Sequence, residues 1–269
     1  MMDVKENVAH ERNCMIAPAP PHEQGFLLYD GTFLDKQSQA ERSFEIQLAL
    51  KPEQRLAAEG LINQMYSWRG YGADHRLSGA GNCFTFNAMI DGNVVGTISL
   101  TVDQGDGLAA DSTFRDVLDD VRSDPGVKIC ELTKFAFSSS VAPMNVIASL
   151  FHTIFIFGTQ KFACSDLFIE VNPRHVRFYE VLLGFSHVGK LRSNASVAAP
   201  SQLMRLRVSD IGDYISAYAD GGEEAPGRSL YPYFLTAAQE LIICERMAML
   251  DQRWPFGGPK RNLLNEMSA

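Results

Sequence analysis

The chain has 269 residues, of which 46% are hydrophobic and 21% charged, and its net charge is −8. These proportions are typical of a globular protein and exclude a fully disordered chain, a collagen and a coiled coil. The negative charge and the lack of any Lys/Arg tract disfavour nucleic acid as a partner. The most nearly apolar run, residues 146–158, is shorter than the ~20 residues of a membrane-spanning helix, so we expect no membrane span.

The N-terminal sequence and the cysteines indicate the compartment of the protein. The N-terminal residues carry charges where a secretory signal has an apolar stretch, and the compartment we predict is therefore the cytoplasm. The five cysteines are widely spaced and form no CxxC pair, so the sequence indicates neither a disulfide framework nor a metal site.

The first half of the chain predicts a polar arm followed by strands and helices. Residues 1–43 are polar with a proline-rich centre, and we expect a flexible N-terminal arm. Alternating apolar residues then predict a strand from Phe44 to Leu50, and Pro52 opens a helical stretch. A hairpin about Asp91-Gly92, a short helix over 114–121 and a long strand over 127–137 follow.

The second half alternates helices with strands before a final helix. We predict a helix over 144–161, a buried strand over 167–171, a helix over 174–183 and strands over 185–190 and 203–208. Gly221-Gly222 and Pro226-Gly227 make residues 209–230 a predicted loop or linker, and the capping-box pattern Thr236-x-x-Gln239 predicts a last helix. The domains predicted are thus a mixed α/β unit over 44–208 and a linker with a C-terminal helical extension over 209–269.

Two segments carry candidate chemistry. In the strand 129–136, Glu131 lies among apolar neighbours, where burial would raise its pKa and make it a better general base. The alternative is a structural ion pair with Lys134 or an arginine. Residues 169–185 join a buried strand to a helix N-terminus, which is where open α/β sheets bind ligands.

At these segments the chain resembles a known family. Asn172-Pro173, Phe178-Tyr179 and Gly184-Phe185 are typical of the end of a GNAT-fold acyltransferase. Further matching segments appear in one order: 69–72, 96–100, 107–111, 131–134, 150–152 and 229–234. Together they resemble the bacterial N-acyl amino acid synthases of the long-chain N-acyltyrosine synthase type, which are related to acyl-homoserine-lactone synthases. The resemblance covers roughly residues 45–250 and departs from the family at the loop 195–200.

The resemblance implies both a fold and a reaction. The fold is a GNAT-like mixed, mostly antiparallel central sheet flanked by helices, with a C-terminal helical extension. The reaction is transfer of a long-chain fatty acyl group to the α-amine of an amino acid. The implied donor and partner is acyl carrier protein, which presents acyl-phosphopantetheine, with acyl-CoA as the alternative donor. No tightly bound cofactor is implied, and membrane association would be peripheral, through the lipid product.

The resemblance also implies roles for particular residues. Glu131 would take a proton from the attacking amine, and Tyr179 would give one to the departing thiolate. A backbone N–H of the strand 129–137 would stabilise the oxyanion. The substrate-binding residues implied are Arg69, Tyr71, Thr133, Lys134, Phe135, Asn172, Arg174 and His175. The structural alternatives are a core tyrosine at 179 and a helix-end ion pair at Arg69.

Other functions stay open at this point. An acyl-homoserine-lactone synthase or a CoA-dependent N-acyltransferase would use the same scaffold, and so would a non-catalytic acyl-carrier-binding module. The junction 138–145 contains no Gly, Lys or Arg, which disfavours the pyrophosphate of CoA. Candidate cations for docking a carrier protein are Lys128, Lys134, Lys161, Lys190, Arg192, Arg205 and Arg207.

Overall fold

Strands whose central members are buried on both faces build one sheet in a computed structural model, which describes residues 25–35, 38–138, 143–196, 198–219 and 228–253. Its eight described strands are β1 Phe26–Leu34, β2 Glu41–Leu48, β3 Cys83–Ile90, β4 Asn93–Val102, β5 Ile129–Phe137, β6 Asp166–Val171, β7 Ser186–Asn194 and β8 Ala199–Arg207. The helices are α1 Pro52–Trp68, α2 Asp111–Arg122, α3 Met144–Phe162, α4 Pro173–Leu183, α5 Val208–Tyr218 and α6 Ala237–Arg253.

The sheet is mixed and mostly antiparallel, as the sequence predicted. The strand order is β1-β2-β3-β4-β5-β6-β8-β7, and the parallel neighbours are β5 and β6. These two strands are paired from Ile129 to Glu131 of β5 and from Asp166 to Phe168 of β6. Both strands continue, but later residues of β5 and β6 are not paired with each other. A gap therefore opens between these two strands directly after Glu131.

The helices cover both faces of the sheet with apolar side chains. Helix α2 packs on one face with the β-strand residues Ile129, Phe168 and Leu203, and α1 packs on the same side as Ala136. Helices α3 to α6 share the larger core on the opposite face. Burial of this apolar surface supplies the main stabilisation of the fold.

A bulge in β5 changes which residues share a face. Ser99 is paired with Thr133 and Thr97 with Ala136, so β5 has one residue more than β4 between these pairs. Lys134 lies in the bulge with a left-handed φ of 56°. Odd-numbered residues before and after the bulge therefore lie on opposite faces: Phe135 packs on Phe151 of α3, whereas Ile129 packs under α2.

The N-terminal arm expected over residues 1–43 is wrong for its last third. Residues 26–34 form β1, an edge strand paired with β2, and bury Leu28, Tyr29 and Phe33. Consecutive apolar residues concealed the strand, since the pattern does not alternate cleanly. Residues 1–24 lie outside the described residues.

The C-terminal region is more ordered than the predicted linker. Helix α5 occupies residues 208–218, where a linker was expected, and residues 220–227 lie outside the described part. The predicted capping box is confirmed: Gln239 Oε1 accepts from the Thr236 N–H at 2.8 Å, and Thr236 Oγ1 accepts from the Gln239 N–H at 3.4 Å. Helix α6 follows this box.

Two features are absent from the described part of the chain. No helix among them is long and apolar enough to cross a membrane. No group of three or more His, Cys, Asp or Glu side chains in the described ranges is arranged to hold a metal ion.

Candidate active site

Glu131 is a buried carboxyl at the point where β5 and β6 diverge. Its side chain is 1% exposed and faces the α2 side of the sheet. Burial raises its pKa from 4.5 to about 8, because the charged form loses hydration. The backbone N–H of Ala110 donates to Glu131 Oε2 at 3.3 Å, and this contact partly offsets the effect of burial. The ion pair with Lys134 considered above does not form: the amine of Lys134 contacts His75 instead.

Tyr179 of α4 packs against the larger core, on the face of the sheet opposite to α2. Its ring contacts Phe135 of β5 at 6.4 Å between centroids and Phe185 at 5.9 Å. Burial raises the pKa of its hydroxyl well above 10, so Tyr179 is protonated at neutral pH. The charge of Arg69 acts in the opposite direction and lowers this pKa.

Lys134 is joined to the loop after α1 by a histidine that sequence reasoning missed. Lys134 Nζ lies 3.4 Å from His75 Nδ1, and His75 Nε2 lies 2.9 Å from the carbonyl oxygen of Tyr71. Since a carbonyl oxygen only accepts, His75 carries its proton on Nε2 and leaves Nδ1 to accept from Lys134. Burial lowers the pKa of Lys134. No sequence motif marked His75, because its partner is 59 positions away.

The side chain of Arg174 contacts three other predicted substrate-binding residues. Its guanidinium lies over the ring of Tyr71 at 4.7 Å, and Nη2 donates to the Arg69 carbonyl oxygen at 3.3 Å. Nε donates to His175 Nε2 at 3.2 Å. Burial lowers the pKa of His175, and the charges of Arg174 and Arg69 lower it further, so this imidazole is held neutral. The cluster is cationic overall, and the charge of its member Arg69 also acts on Tyr179.

The buried hydroxyl of Tyr71 has no hydrogen-bond partner among the described residues. A buried polar atom without a partner costs free energy, about 1–3 kcal/mol. Its capacity to donate and accept a hydrogen bond is therefore unused among the described residues.

The remaining predicted residues are placed as follows. Asn172 is the N-cap of α4, and its Oδ1 accepts from the Arg174 N–H at 3.2 Å. Thr133 is paired with Ser99 beside the bulge. Phe135 packs against Phe151, and its carbonyl oxygen accepts from the Tyr66 hydroxyl at 3.3 Å. The capping and packing contacts account for Asn172 and Phe135 structurally, and their predicted substrate contacts stay predictions.

Two adjoining apolar cavities lie on the α3 side of the gap. The two cavities share four lining residues, Ile154, Phe155, Leu167 and Ile211. The first cavity is lined by Leu132, the residue after Glu131, and also by Tyr231 and Phe234, which precede α6.

Several cations predicted to dock a carrier protein form ion pairs with aspartates of the same chain. Arg192 pairs with Asp116 at 2.6 Å, Arg205 with Asp166 at 2.5 Å, and Lys161 with Asp251. Lys128, Lys190 and Arg207 are exposed. The residues 139–142 of the junction before α3 lie outside the described residues, and Pro143 is the N-cap of that helix.

Comparisons with known proteins place this site in context. The family model described as N-acyl amino acid synthase FeeM matches residues 57–207. Among solved structures, FeeM, an N-acyl amino acid synthase from uncultured soil microbes, is similar with 26% identity and a TM-score of 0.56, over 63% of this chain and 93% of that one. The AHL synthase LasI is similar with 15% identity and a TM-score of 0.47, over 62% of this chain and 91% of that one. No curated protein matches at a significant level.

Proposed function

Because the chain belongs to the FeeM family of N-acyl amino acid synthases, and is therefore a GNAT-like N-acyltransferase, we propose that it transfers a long-chain fatty acyl group from an acyl carrier protein thioester to the α-amine of an amino acid. The observation that carries the proposal is the buried carboxyl of Glu131 at the gap between β5 and β6.

Glu131 supplies the base that the reaction needs. An amine must lose a proton as it attacks a thioester carbonyl, and a base works best when its pKa lies near the working pH. The pKa of about 8 meets that condition. Glu131 takes the proton directly or through one water, and a positioned base of this kind contributes ~10²–10⁴ in rate.

The bulge and Tyr179 serve the other two charges that develop. The left-handed backbone at Lys134 interrupts the β4–β5 pairing next to the gap, and a backbone N–H of this stretch donates to the oxyanion. Tyr179, protonated and packed against Phe135, gives its proton to the departing thiolate. The thioester carbonyl then lies between Glu131 on one side of the sheet and Tyr179 on the other.

The apolar cavities take the acyl chain. A chain that enters the gap beside Leu132 reaches the cavity lined by this residue. The second cavity adjoins the first at Ile154, Phe155, Leu167 and Ile211 and takes the rest of the chain. Burial of each methylene stabilises the complex by ~0.8 kcal/mol, which favours a long chain over an acetyl group.

The cationic cluster binds the acceptor. Arg69 or Arg174 pairs with the amino acid carboxylate, since a guanidinium matches a carboxylate in a two-bond fork. The unpartnered hydroxyl of Tyr71 contributes a further hydrogen bond. His175 and Asn172 hold Arg174 in place through the contacts described above.

The donor is presented by a carrier protein in the cytoplasm. The helix N-cap before α3 is a proline, which lacks an N–H, and the junction has no glycine for a pyrophosphate loop. A carrier presents its pantetheine through one phosphate and needs no such loop.

The experiment compares lipid extracts from cells that express the wild type, Glu131→Gln and Glu180→Gln. Mass spectrometry should find acylated amino acids with the wild type and with Glu180→Gln, a glutamate of α4 that pairs with His187. Glu131→Gln should lose most of the product while keeping the fold by circular dichroism. Acylated lactones would point to a lactone synthase, and no new acyl product from the wild type would point to a carrier-binding module. Near wild-type kcat in purified Glu131→Gln would show that Glu131 is not the base.

A further inference from the structure

Arg122, the last residue of α2, is a cation held by three aspartates. Nη1 and Nη2 donate to the two carboxylate oxygens of Asp111, each at 2.7 Å. Nε donates to Asp103 at 2.6 Å, and Nη1 also reaches Asp119 at 2.8 Å. A two-bond fork of this kind fixes geometry as well as charge, because the guanidinium is planar.

Asp111 and Asp103 connect this guanidinium to the turn that precedes α2. Asp111 is buried, and its Oδ2 also accepts from the Leu108 N–H at 2.6 Å. Asp103 follows β4, and its own N–H donates to the Ile129 carbonyl oxygen at 3.0 Å. Arg122 therefore ties the two ends of the segment 103–111 together beside β5.

The turn that is held in this way, residues 108–110, contacts the carboxyl of Glu131. Its residues Ala109 and Ala110 direct their backbone N–H groups to the Glu131 carboxyl, with the Ala110 contact at 3.3 Å. Gly107 permits the turn, since its φ is +82° and a Cβ there would lie 2.9 Å from Asp111 Oδ2. The sequence of contacts thus runs from Arg122 through Asp111 and the turn to the carboxyl of Glu131.

We propose that Arg122 is a positioning residue that, through Asp111, holds the 108–110 turn against Glu131 and so keeps this carboxyl ionisable in the working pH range. The proposal concerns the carboxyl itself, and its consequence for the rate rests on the proposed role of Glu131 as base.

The charges around Glu131 give the direction of the effect. The acidic groups that face it are Asp111 from α2 and Glu170 from β6, and both raise its pKa, while the amides of the turn lower it. The thiol of Cys130, next to it on β5, has a raised pKa and is neutral. Without Arg122, Asp111 loses its compensating cation and the amides lose their alignment. Both changes disfavour the ionised form of Glu131, so its pKa should rise.

The variants are Arg122→Gln, which removes the cation, and Arg122→Lys, which keeps the charge but cannot form the fork. Arg192→Gln is the control: Arg192 ties the same helix to β7 through Asp116 and the Thr113 carbonyl oxygen, without contacting the turn 108–110. Circular dichroism at each pH verifies folding, and Arg122→Lys serves if Arg122→Gln does not fold.

Two readouts separate the inference from the proposed function. The first is the titration of the Glu131 side-chain carboxyl, followed by ¹³C NMR and assigned with Glu131→Gln. The second is the acidic limb of the kcat/KM–pH profile. We expect both to move to higher pH by about half a unit or more in the Arg122 variants and to stay in place in Arg192→Gln.

An unchanged NMR titration in both Arg122 variants, or an equal shift in Arg192→Gln, would overturn the inference. A shifted NMR titration with an unmoved activity limb would instead support the positioning role and refute Glu131 as the base.

Discussion

A carboxyl group with a pKa of about 8 inside a protein reduces the stability of the fold at the pH where it works. The folded state of this chain retains the Glu131 proton until about pH 8, whereas the unfolded chain releases it near 4.5. Across that window the unfolded state binds fewer protons than the folded state, so the free energy of unfolding falls as the pH rises. The carboxyl that we propose as the general base is thus also a source of instability.

Glu131→Gln should therefore be more stable than the wild type at alkaline pH. Glutamine does not titrate, so its advantage should be greatest above pH 8 and smallest near pH 5, where Glu131 is protonated in the folded state. Urea unfolding at pH 5, 7 and 9 measures this difference. A stability difference that does not change with pH would mean that the pKa of Glu131 is not raised.

Arg69→Ala tests the acceptor side of the site. Arg69 is exposed at the end of α1, and its charge acts on both Tyr179 and His175. Loss of a carboxylate contact is mainly a loss of ground-state binding, so KM for the amino acid should rise more than KM for the acyl donor. Arg76→Ala, which removes an exposed arginine paired with Glu59, is the control. Equal effects on both KM values would favour a structural role at the helix end.

At the residue scale the sequence identified Glu131 but not its surroundings. A glutamate among apolar residues of a strand is visible in the sequence, and its burial follows from that pattern. The contacts of His75 and Arg122 are not visible, because they join residues that are distant along the chain or that look like ordinary surface charges. The roles of the substrate-binding residues stay predictions.

The elements that matter most for the site are those that interrupt regular pairing. The bulge at Lys134 moves Phe135 to the α3 face, and the divergence of β5 and β6 opens the sheet. Neither feature follows from hydrophobic alternation, which describes regular strands. Helix α5 was missed for a similar reason: Gly221-Gly222 and Pro226-Gly227 suggested a linker, although Ile211, Tyr214 and Tyr218 recur at helical spacing.

Helix α5 provides the test of the acyl-chain cavity. Ile211 is buried and lines both apolar cavities, so Ile211→Phe should fill space that a long chain uses. The distribution of products by mass spectrometry should move to shorter acyl chains, while Ile211→Val should change it little. Overpacking costs ~1–3 kcal/mol, so the thermal stability of both variants must be compared first. An unchanged chain-length distribution in a folded Ile211→Phe protein would show that the chain lies elsewhere.

At the scale of the whole molecule, the charge of −8 opposes docking of an acidic carrier protein. Docking then depends on local cations. Arg192 and Arg205 pair with aspartates of the same chain, whereas Lys128, Lys190 and Arg207 are exposed. The sequence predicted the mixed α/β fold and most of its elements, because periodicity and the turn residues mark them. It did not predict β1, and no local pattern determines the order in which distant strands pair.

We expect acyl carrier protein to be used with a higher kcat/KM than the matching acyl-CoA, and we expect added salt to reduce this advantage. Salt screens attraction between exposed charges and slows a charge-guided encounter. The measurement is kcat/KM for both donors at low and high ionic strength. Equal efficiency with the two donors, or a preference that salt does not change, would contradict the docking argument.

The contacts between α6 and β1 have a consequence for the order in which the protein folds during synthesis. Gln239 donates to the Tyr29 hydroxyl at 2.9 Å, and Arg246 pairs with Asp30 at 2.6 Å, although more than 200 residues separate these partners. A strand translated early thus waits for a helix translated late, and contacts this distant along a chain form slowly. Until α6 leaves the ribosome, the edge of the sheet at β1 lacks its native cover and is a site for chaperone binding or misassociation.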